Sequence, residues 1–376
     1  MNKKIKNYFI LLLLIKILYT YFFLNIYINF STIGDANGYL KRRFVFDFDF
    51  YFPNIFFNRT FFVETIYGVS NSIFSKHITP YLFSSLSFFI IWYSLKTCIN
   101  LNSKKNILFL ILFFSPSLSL WTSVPSKELI SVTLFVYLCS CYTRIIYEKK
   151  INYIIFILSL IIAAYLRPNY FIIYGFFLMM LTFKIIVLDQ ITNKSNLFIN
   201  FKFYFFLFFI SFMIIILLYS LTSFFFDDYI KYIMNKSYYM FISFEHMSSS
   251  MRNIYLEWAE IESFYSSMIL GAFISFSGPS INDMLNRPVF IIHFIESLVI
   301  NISIIYLIIR MLNLSKNIQN FPFLFLFGIL NCYIIGLIIH YPLGLFNVGS
   351  SLRYKQNLIP FFIILPYMLI NFKNKN

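Results

Sequence analysis

"MNKKIKNYFILLLLIKILYTYFFLNIYINF", residues 1–30, decides how the rest of the chain is read. Three lysines precede a long apolar run in which Lys16 is the only charge. A helix of about 20 apolar residues crosses the ~30 Å hydrocarbon core of a bilayer, and this run is longer than that. It also exceeds the apolar stretch of a secretory signal and lacks a small-residue cleavage site, so it reads as a retained first span. Lys16 lies close enough to the inner side for its stem to snorkel there.

The whole chain repeats this character. Of 376 residues 60% are apolar and only 12% charged, with a mean hydropathy of +0.75. Soluble domains carry about 25% charged residues, so a soluble globular fold is excluded. Apolar windows of spanning length place ten helices, at roughly 8–30, 78–95, 106–121, 128–146, 153–166, 169–188, 203–222, 289–310, 321–340 and 356–371. The expectation is an all-α, polytopic integral membrane protein forming one membrane domain over 1–376.

Charge sets the orientation. With the N-terminus inside, the inner segments hold sixteen basic residues against two acids, Glu148 and Asp189; the outer segments hold thirteen bases and twelve acids over more than twice the length. This is the positive-inside pattern, and it puts both termini in the cytoplasm. It also accounts for the net charge of +15 without a nucleic-acid partner. The outer side has two long excursions, 31–77 and 223–288. In the second, Ile254, Trp258, Ile261, Tyr265 and Met268 recur at helical spacing, as in an amphipathic helix lying on the membrane surface. "MILGAFISF", which follows, is too short to span and reads as a re-entrant or interfacial piece.

The four cysteines and four histidines show no metal-ligand spacing: Cys139 and Cys141, two apart, diverge on a helix. No metal, disulfide or cofactor is expected. The polar residues converge instead on the outer side. Asp35 follows the first span, ahead of Tyr39, Lys41, Arg42 and Arg43; Lys127 and Glu128 open the fourth span; Arg167 sits in a tight turn before Pro168; Arg252 and Arg287 lie in the long loop; and Arg353, Tyr354 and Lys355 precede the last span. Cations gathered on one face near an isolated acid suit a pyrophosphate-linked lipid substrate, because they stabilise negative charge as the diphosphate departs. The planar guanidinium favours Arg167 and Arg353 as clamps. Asp35 has the position to take a proton from an attacking hydroxyl.

Each residue also has a structural reading. Cations at span ends snorkel. Glu128 with Ser126 caps a helix. Asp35 beside "NG" makes a turn. His340 is an interfacial histidine, and Glu296, deep in a span at i,i+3 from His293, needs a partner.

"GDANGY" (34–39), "SPSLSLWTSVPSKEL" (115–129), "RP" (167–168) and "GSSLRY" (349–354) ahead of Pro360 together resemble the polysaccharide repeat-unit polymerases, the Wzy-type O-antigen and capsule polymerases and their relatives of the EpsG kind. The first-loop acid is also similar to that of the C-type glycosyltransferases. The resemblance implies a C-type-like membrane fold in a bacterial inner membrane. It implies a polymerase that transfers a glycan from an undecaprenyl-diphosphate carrier onto a lipid-linked repeat unit, with no cofactor and with a chain-length regulator as partner. Asp35 is then the acid/base, and Lys127, Arg167 and Arg353 contact the pyrophosphate. The Arg-x10-Gly loop motif of the better-studied polymerases is absent: the positions after Arg252 and Arg287 are Ser263 and Leu298. Two alternatives remain open: a C-type enzyme adding one sugar from a polyprenyl-monophosphate donor, and a flippase for the same lipid-linked unit.

Overall fold

A computed structural model describes residues 3–29, 36–42, 58–101, 115–147, 149–183, 261–315 and 323–372, together with positions 103, 231, 234, 235 and 252. Among them every regular element is helical, and the one β-bridge joins Ile99 to Phe372. Three helices are long and apolar enough to cross a membrane, over Ile5–Asn29, Lys127–Ile146 and Phe290–Leu314, with a fourth if two helices bent by 115° at their junction count as one broken span. Among the described residues the fold is thus all-helical, with three or four candidate membrane spans. Of the ten expected spans, 203–222 and most of 106–121 lie outside the described residues, and others coincide with short helices. Tyr153–Leu166, at 14 residues, rises only about 21 Å, less than the ~30 Å core.

Contacts group the chain into two compact units where the sequence suggested one domain: residues 1–171 with 356–376, and residues 172–355. The first holds α1 (Lys3–Asn25), α2 (Ala36–Lys41), α3 (Arg59–Phe74), α4 (Thr79–Cys98), α5 (Pro116–Trp121), α6 (Lys127–Ile146) and α7 (Tyr153–Leu166). α8 (Pro168–Phe183) leads out of this unit, and the C-terminal segment returns to it.

α6 is the unit's axis: 72% of its most apolar window is buried, against 17% for α1, which faces outward. Small hydroxyl residues let α4 approach α6 closely. Ser87 meets Thr133 at 2.6 Å, and Cys98 meets Ser140 at 3.3 Å. The C-terminal segment covers another face, with Ser131 donating to Asn357 at 2.7 Å, Phe135 against Phe361, and the Cys139 thiol donating to the Pro360 carbonyl at 3.5 Å. Pro366 has no N–H to offer the carbonyl four residues back, and residues Pro360–Ile364 widen into a π turn closed by Leu365 N–H on Pro360 O.

The expected outer loop 31–77 contains α3, which sequence reading did not place. Asn58 caps it by accepting from Thr60 and Phe61 N–H, and it ends at Ser75, whose φ of 72° turns the chain. Lys16 departs from its expectation. Its ammonium is not free to snorkel but donates to Thr122 Oγ1, and the residue is 4% exposed. A charge held within a span costs on the order of 2.5–3.5 kcal/mol.

The second unit holds α9 (Ile261–Ser266), α10 (Met268–Ser277), α11 (Ile281–Asn286), α12 (Phe290–Ser315), α13 (Phe323–Gly344) and α14 (Val348–Lys355). Of the surface helix expected around residues 254–268, only the α9 part and the residues after it are described. α10 corresponds to "MILGAFISF" and is, as expected, too short to span at 10 residues. It packs on α13 because Gly271 offers no side chain: a Cβ there would lie 2.1 Å from the Tyr341 ring. Tyr341 OH then donates to Phe264 O at 3.1 Å and meets Ser267 Oγ at 2.7 Å. The other side of α10 leaves Ile269, Leu270 and Phe273 exposed, as a lipid-facing surface does.

Candidate functional site

In the first unit the site is built at the head of α6. Ser126 is its N-cap: the extended backbone turns the side chain back to accept from Leu129 N–H at 3.1 Å. Ser126 N–H donates to Tyr67 OH at 3.3 Å, and Tyr67 stacks on Tyr39 with ring centroids 5.8 Å apart. Lys127 reaches α3, donating to Thr60 Oγ1 at 2.5 Å. Glu128 is fully buried in the first turn, where the helix dipole favours an acid. Arg167 is the last residue of the α7 turn. Pro168 disfavours a helical conformation before it, and Arg167 takes φ −139°, ψ 63°, leaving α7 with its guanidinium on Glu128 Oε1. The capping expectation is met at Ser126, while Glu128 and Arg167 form an ion pair.

Asn71, which the sequence gave no reason to single out, holds α2 against α3. Its Nδ2 donates to the carbonyls of Tyr39, Leu40 and Arg42 at 3.2, 3.2 and 3.0 Å. Those of Tyr39 and Leu40 are C-terminal carbonyls that α2 cannot satisfy itself, and Arg42 follows the helix. Asp35, immediately before α2, lies outside the described residues.

In the second unit polar groups surround the C-terminal carbonyls of α10. Arg252 Nη1 donates to Ile274 O at 3.1 Å, Ser351 Oγ and His340 Nε2 meet Ser275 O, and Lys355 Nζ donates to Phe276 O at 3.2 Å. Arg252 also bonds Gly344 O and Leu345 O, and its Nε donates to Asp283 Oδ2 at 3.1 Å. Lys355 completes its bonds on Ser297 Oγ at 2.7 Å. Cations at a helix C-terminus offset the partial negative charge of its orphan carbonyls. The polar stretch "GSSLRYK" therefore has a structural use, since Ser351 and Lys355 face the end of α10. Burial pushes the Lys355 ammonium down to about 8; the Glu296 carboxylate opposes this and the Arg252 charge adds to it. Burial likewise lowers Arg252, against the pull of Asp283. Glu296 has the partner its depth demands, with His293 Nδ1 at 3.4 Å and the charge of Lys355 nearby.

Arg287, Arg353 and Tyr354 are half-buried. Arg287 caps the end of α11, between Met284 and Phe290, and those two pack on Val348 and Leu352 of α14. Arg287 and Arg353 thus flank one contact, with the Arg353 guanidinium 5.8 Å from the Tyr354 ring centroid. Among the sequence-selected residues, the structure brings together Lys127, Glu128 and Arg167 in one unit. It brings together Arg252 and Lys355 in the other, with Arg287 and Arg353 beside a second contact. Sequence reading missed Asn71, Ser297 and the Asp283 anchor of Arg252. Only the last had a signal, the Ser-x-x-Asp capping box at Ser280 and Asp283. No group of His, Cys, Asp and Glu suited to a metal occurs among the described residues.

Helical fold and apolar composition suggest a membrane protein. Compared with protein-family models, curated proteins and solved structures, the chain matches none of them.

Proposed function

We propose that the chain is a membrane glycosyltransferase of the polymerase type, joining lipid-diphosphate-linked oligosaccharide repeat units at the outer face of a bacterial inner membrane. In this reading the polypeptide has about ten spans, a C-type glycosyltransferase-like fold and cytoplasmic termini. A hydroxyl of the acceptor sugar attacks the anomeric carbon of the donor glycan. Its proton passes to Asp35, the glycosyl–oxygen bond breaks, and the lipid diphosphate leaves with the bonding pair. Cationic groups meet the charge that grows on the leaving group. The observation that carries the reading is the set of Lys127, Glu128 and Arg167 at one corner of α6 and α7. There a buried carboxylate fixes one edge of a guanidinium fork.

The test is complementation of a deletion strain, reading glycan length on gels. Arg167→Ala and Arg353→Ala are expected to insert normally and yield single repeats without polymer; Arg353→Lys restores polymer in part, because a point charge does not replace the fork. Polymer of normal length in both alanine variants overturns the proposal. A repeat unit short of one sugar in the deletion strain points to a C-type transferase, and accumulation of the unit on the inner leaflet points to a flippase.

A further inference from the structure

Arg252 and the end of α10 meet at the end of α13. Arg252 N–H donates to Phe346 O at 2.9 Å, and its Nη1 donates to Gly344 O and to Ile274 O. From there α10 runs back along α13. Ser275 lies beside Gly344, Gly271 faces Tyr341, and Phe264 and Met268 share one apolar cluster with Tyr341 and Leu337. Leu337 is seven residues before Gly344, about 10 Å along the helix. The chain from Arg252 to Gly278 thus starts and ends at the Gly344 end of α13, while Phe264 and Met268 lie about two turns further along it.

α12 supplies the depth. Gly278 O accepts from Ser297 Oγ at 2.8 Å, and Lys355 Nζ joins Ser297 to Phe276 O. Ser297 is seven residues into α12, about 10 Å from its Phe290 end. α12 is long and apolar enough to span; α13 follows it after residues 316–322 alone and packs on it, as antiparallel neighbours do. α10 therefore lies from about 10 to about 20 Å below the Phe290 end, in the middle of a ~30 Å hydrocarbon core. Two features suit that depth. Backbone groups in hydrocarbon must be satisfied by the protein itself, and the carbonyls of Ile274, Ser275, Phe276 and Gly278 receive Arg252, Ser351, Lys355 and Ser297. The face of α10 turned away from α13 carries Ile269, Leu270 and Phe273, with Ile269 84% exposed. α12 exposes Ile292, Ile295 and Ile302 in the same way.

We propose that α10 is the return limb of a re-entrant element, lying at mid-bilayer with Ile269, Leu270 and Phe273 against lipid acyl chains. The chain enters and leaves by the Phe290 side of the membrane. The sequence left a re-entrant and an interfacial position open for this piece, and the level of Ser297 decides between them. α11 then climbs from Gly278 to Phe290, where its Met284 packs near Val348 and Leu352. Such a placement goes beyond the polymerase reading and does not rest on it.

The experiment places nitroxide labels on single cysteines in the full-length protein, reconstituted in vesicles of phosphatidylcholine and phosphatidylglycerol. The substitutions are Ile269→Cys, Phe273→Cys, Leu285→Cys, Ile302→Cys and Lys76→Cys, all at exposed positions. The four native cysteines are buried, and the unsubstituted protein gives the background. Power saturation compares collisions with oxygen, which concentrates in hydrocarbon, and with a nickel chelate, which stays in water. Labels at 269 and 273 are expected to match the one at 302, with an oxygen-to-nickel ratio about tenfold above that at 76. The label at 285, nearer the Phe290 end, is expected to fall between. Labels at 269 and 273 as shallow as that at 285 indicate a helix lying on the surface and overturn the proposal. Nickel contact equal to that at 76 overturns it through an aqueous face, and little contact with either reagent through a covering protein chain. A variant that fails to reconstitute is replaced by Leu270→Cys, on the same face.

Discussion

Arg167 and Glu128, thirty-nine positions apart, form an ion pair whose carboxylate is completely removed from solvent while the guanidinium keeps 15% of its side-chain surface. The pair joins the end of α7 to the start of α6. Removing one partner strands the other: Arg167→Ala is expected to cost about 3–5 kcal/mol. Replacing both by apolar residues of similar size, Glu128→Leu with Arg167→Leu, is expected to recover most of that stability. Thermal denaturation in detergent reads both effects, and glycan length on gels reads polymer formation. The double variant should fold and make no polymer. Polymer from the double variant would mean that the pair is structural only.

The buried amine of Lys355 gives a pH dependence with a definite sign. Its ordinary value of 10.5 falls to about 8 on folding, mainly through burial. Below about 8 both folded and unfolded chains carry the proton, and the cost of burying the charge is fully present. Between about 8 and 10.5 the unfolded chain holds a proton that the folded chain has released, and stability rises with pH across that window by about 3 kcal/mol in all. Lys355→Met lacks this gain. Melting curves of the two proteins from about pH 7.5 to about pH 10 should show wild type gaining on the variant. Parallel curves would exclude a depressed value for Lys355.

Four glycines separate tight contacts from open ones. A Cβ at Gly278 would lie 2.0 Å from Arg252 Nη2, and one at Gly271 would lie 2.1 Å from the Tyr341 ring; at Gly38 and Gly175 it meets nothing within 4 Å. Gly271→Ala and Gly278→Ala are expected to destabilise by about 1–3 kcal/mol through overpacking. Gly278→Ala does so by pushing Arg252 off Asp283. Gly38→Ala and Gly175→Ala, both within helices, are expected to be neutral or stabilising by up to about 1 kcal/mol. A thermal-shift panel of the four variants checks the ranking, and equal midpoints would contradict the packing of α10 on α13.

What the sequence disclosed follows from the range of each signal. Hydropathy is a window property, so Tyr153–Leu166 emerges with the expected bounds, and Lys127–Ile146 and Phe290–Ser315 lie close to theirs. Ser126 was legible as a cap because capping joins residues three apart. The roles of Arg252 and Lys355 were not legible. Both were selected as outer-face cations, which is a matter of sidedness. Their actual partners, the carbonyls at the end of α10, are backbone atoms, 22 and 79 positions away, that no residue type announces. The same holds for Lys16, whose partner Thr122 lies 106 positions on.

Asn71 carries the last prediction. One amide nitrogen serves three carbonyls of residues 39, 40 and 42, in a side chain that is 9% exposed. Asn71→Ala removes the donor and leaves those carbonyls to the buried side of α2, at about 1–3 kcal/mol. Asn71→Asp is expected to be worse despite its similar shape, because an ionised carboxylate offers only acceptors to acceptors. Asn71→Gln, with its donor one methylene further out, should recover part of the loss. The same ordering is expected in polymer formation, since α2 begins one residue after Asp35 and Asn71 ties that helix to α3. Stability is read by melting in detergent and polymer by gel. Asn71→Asp equal to wild type in both would show that the three bonds do not hold α2.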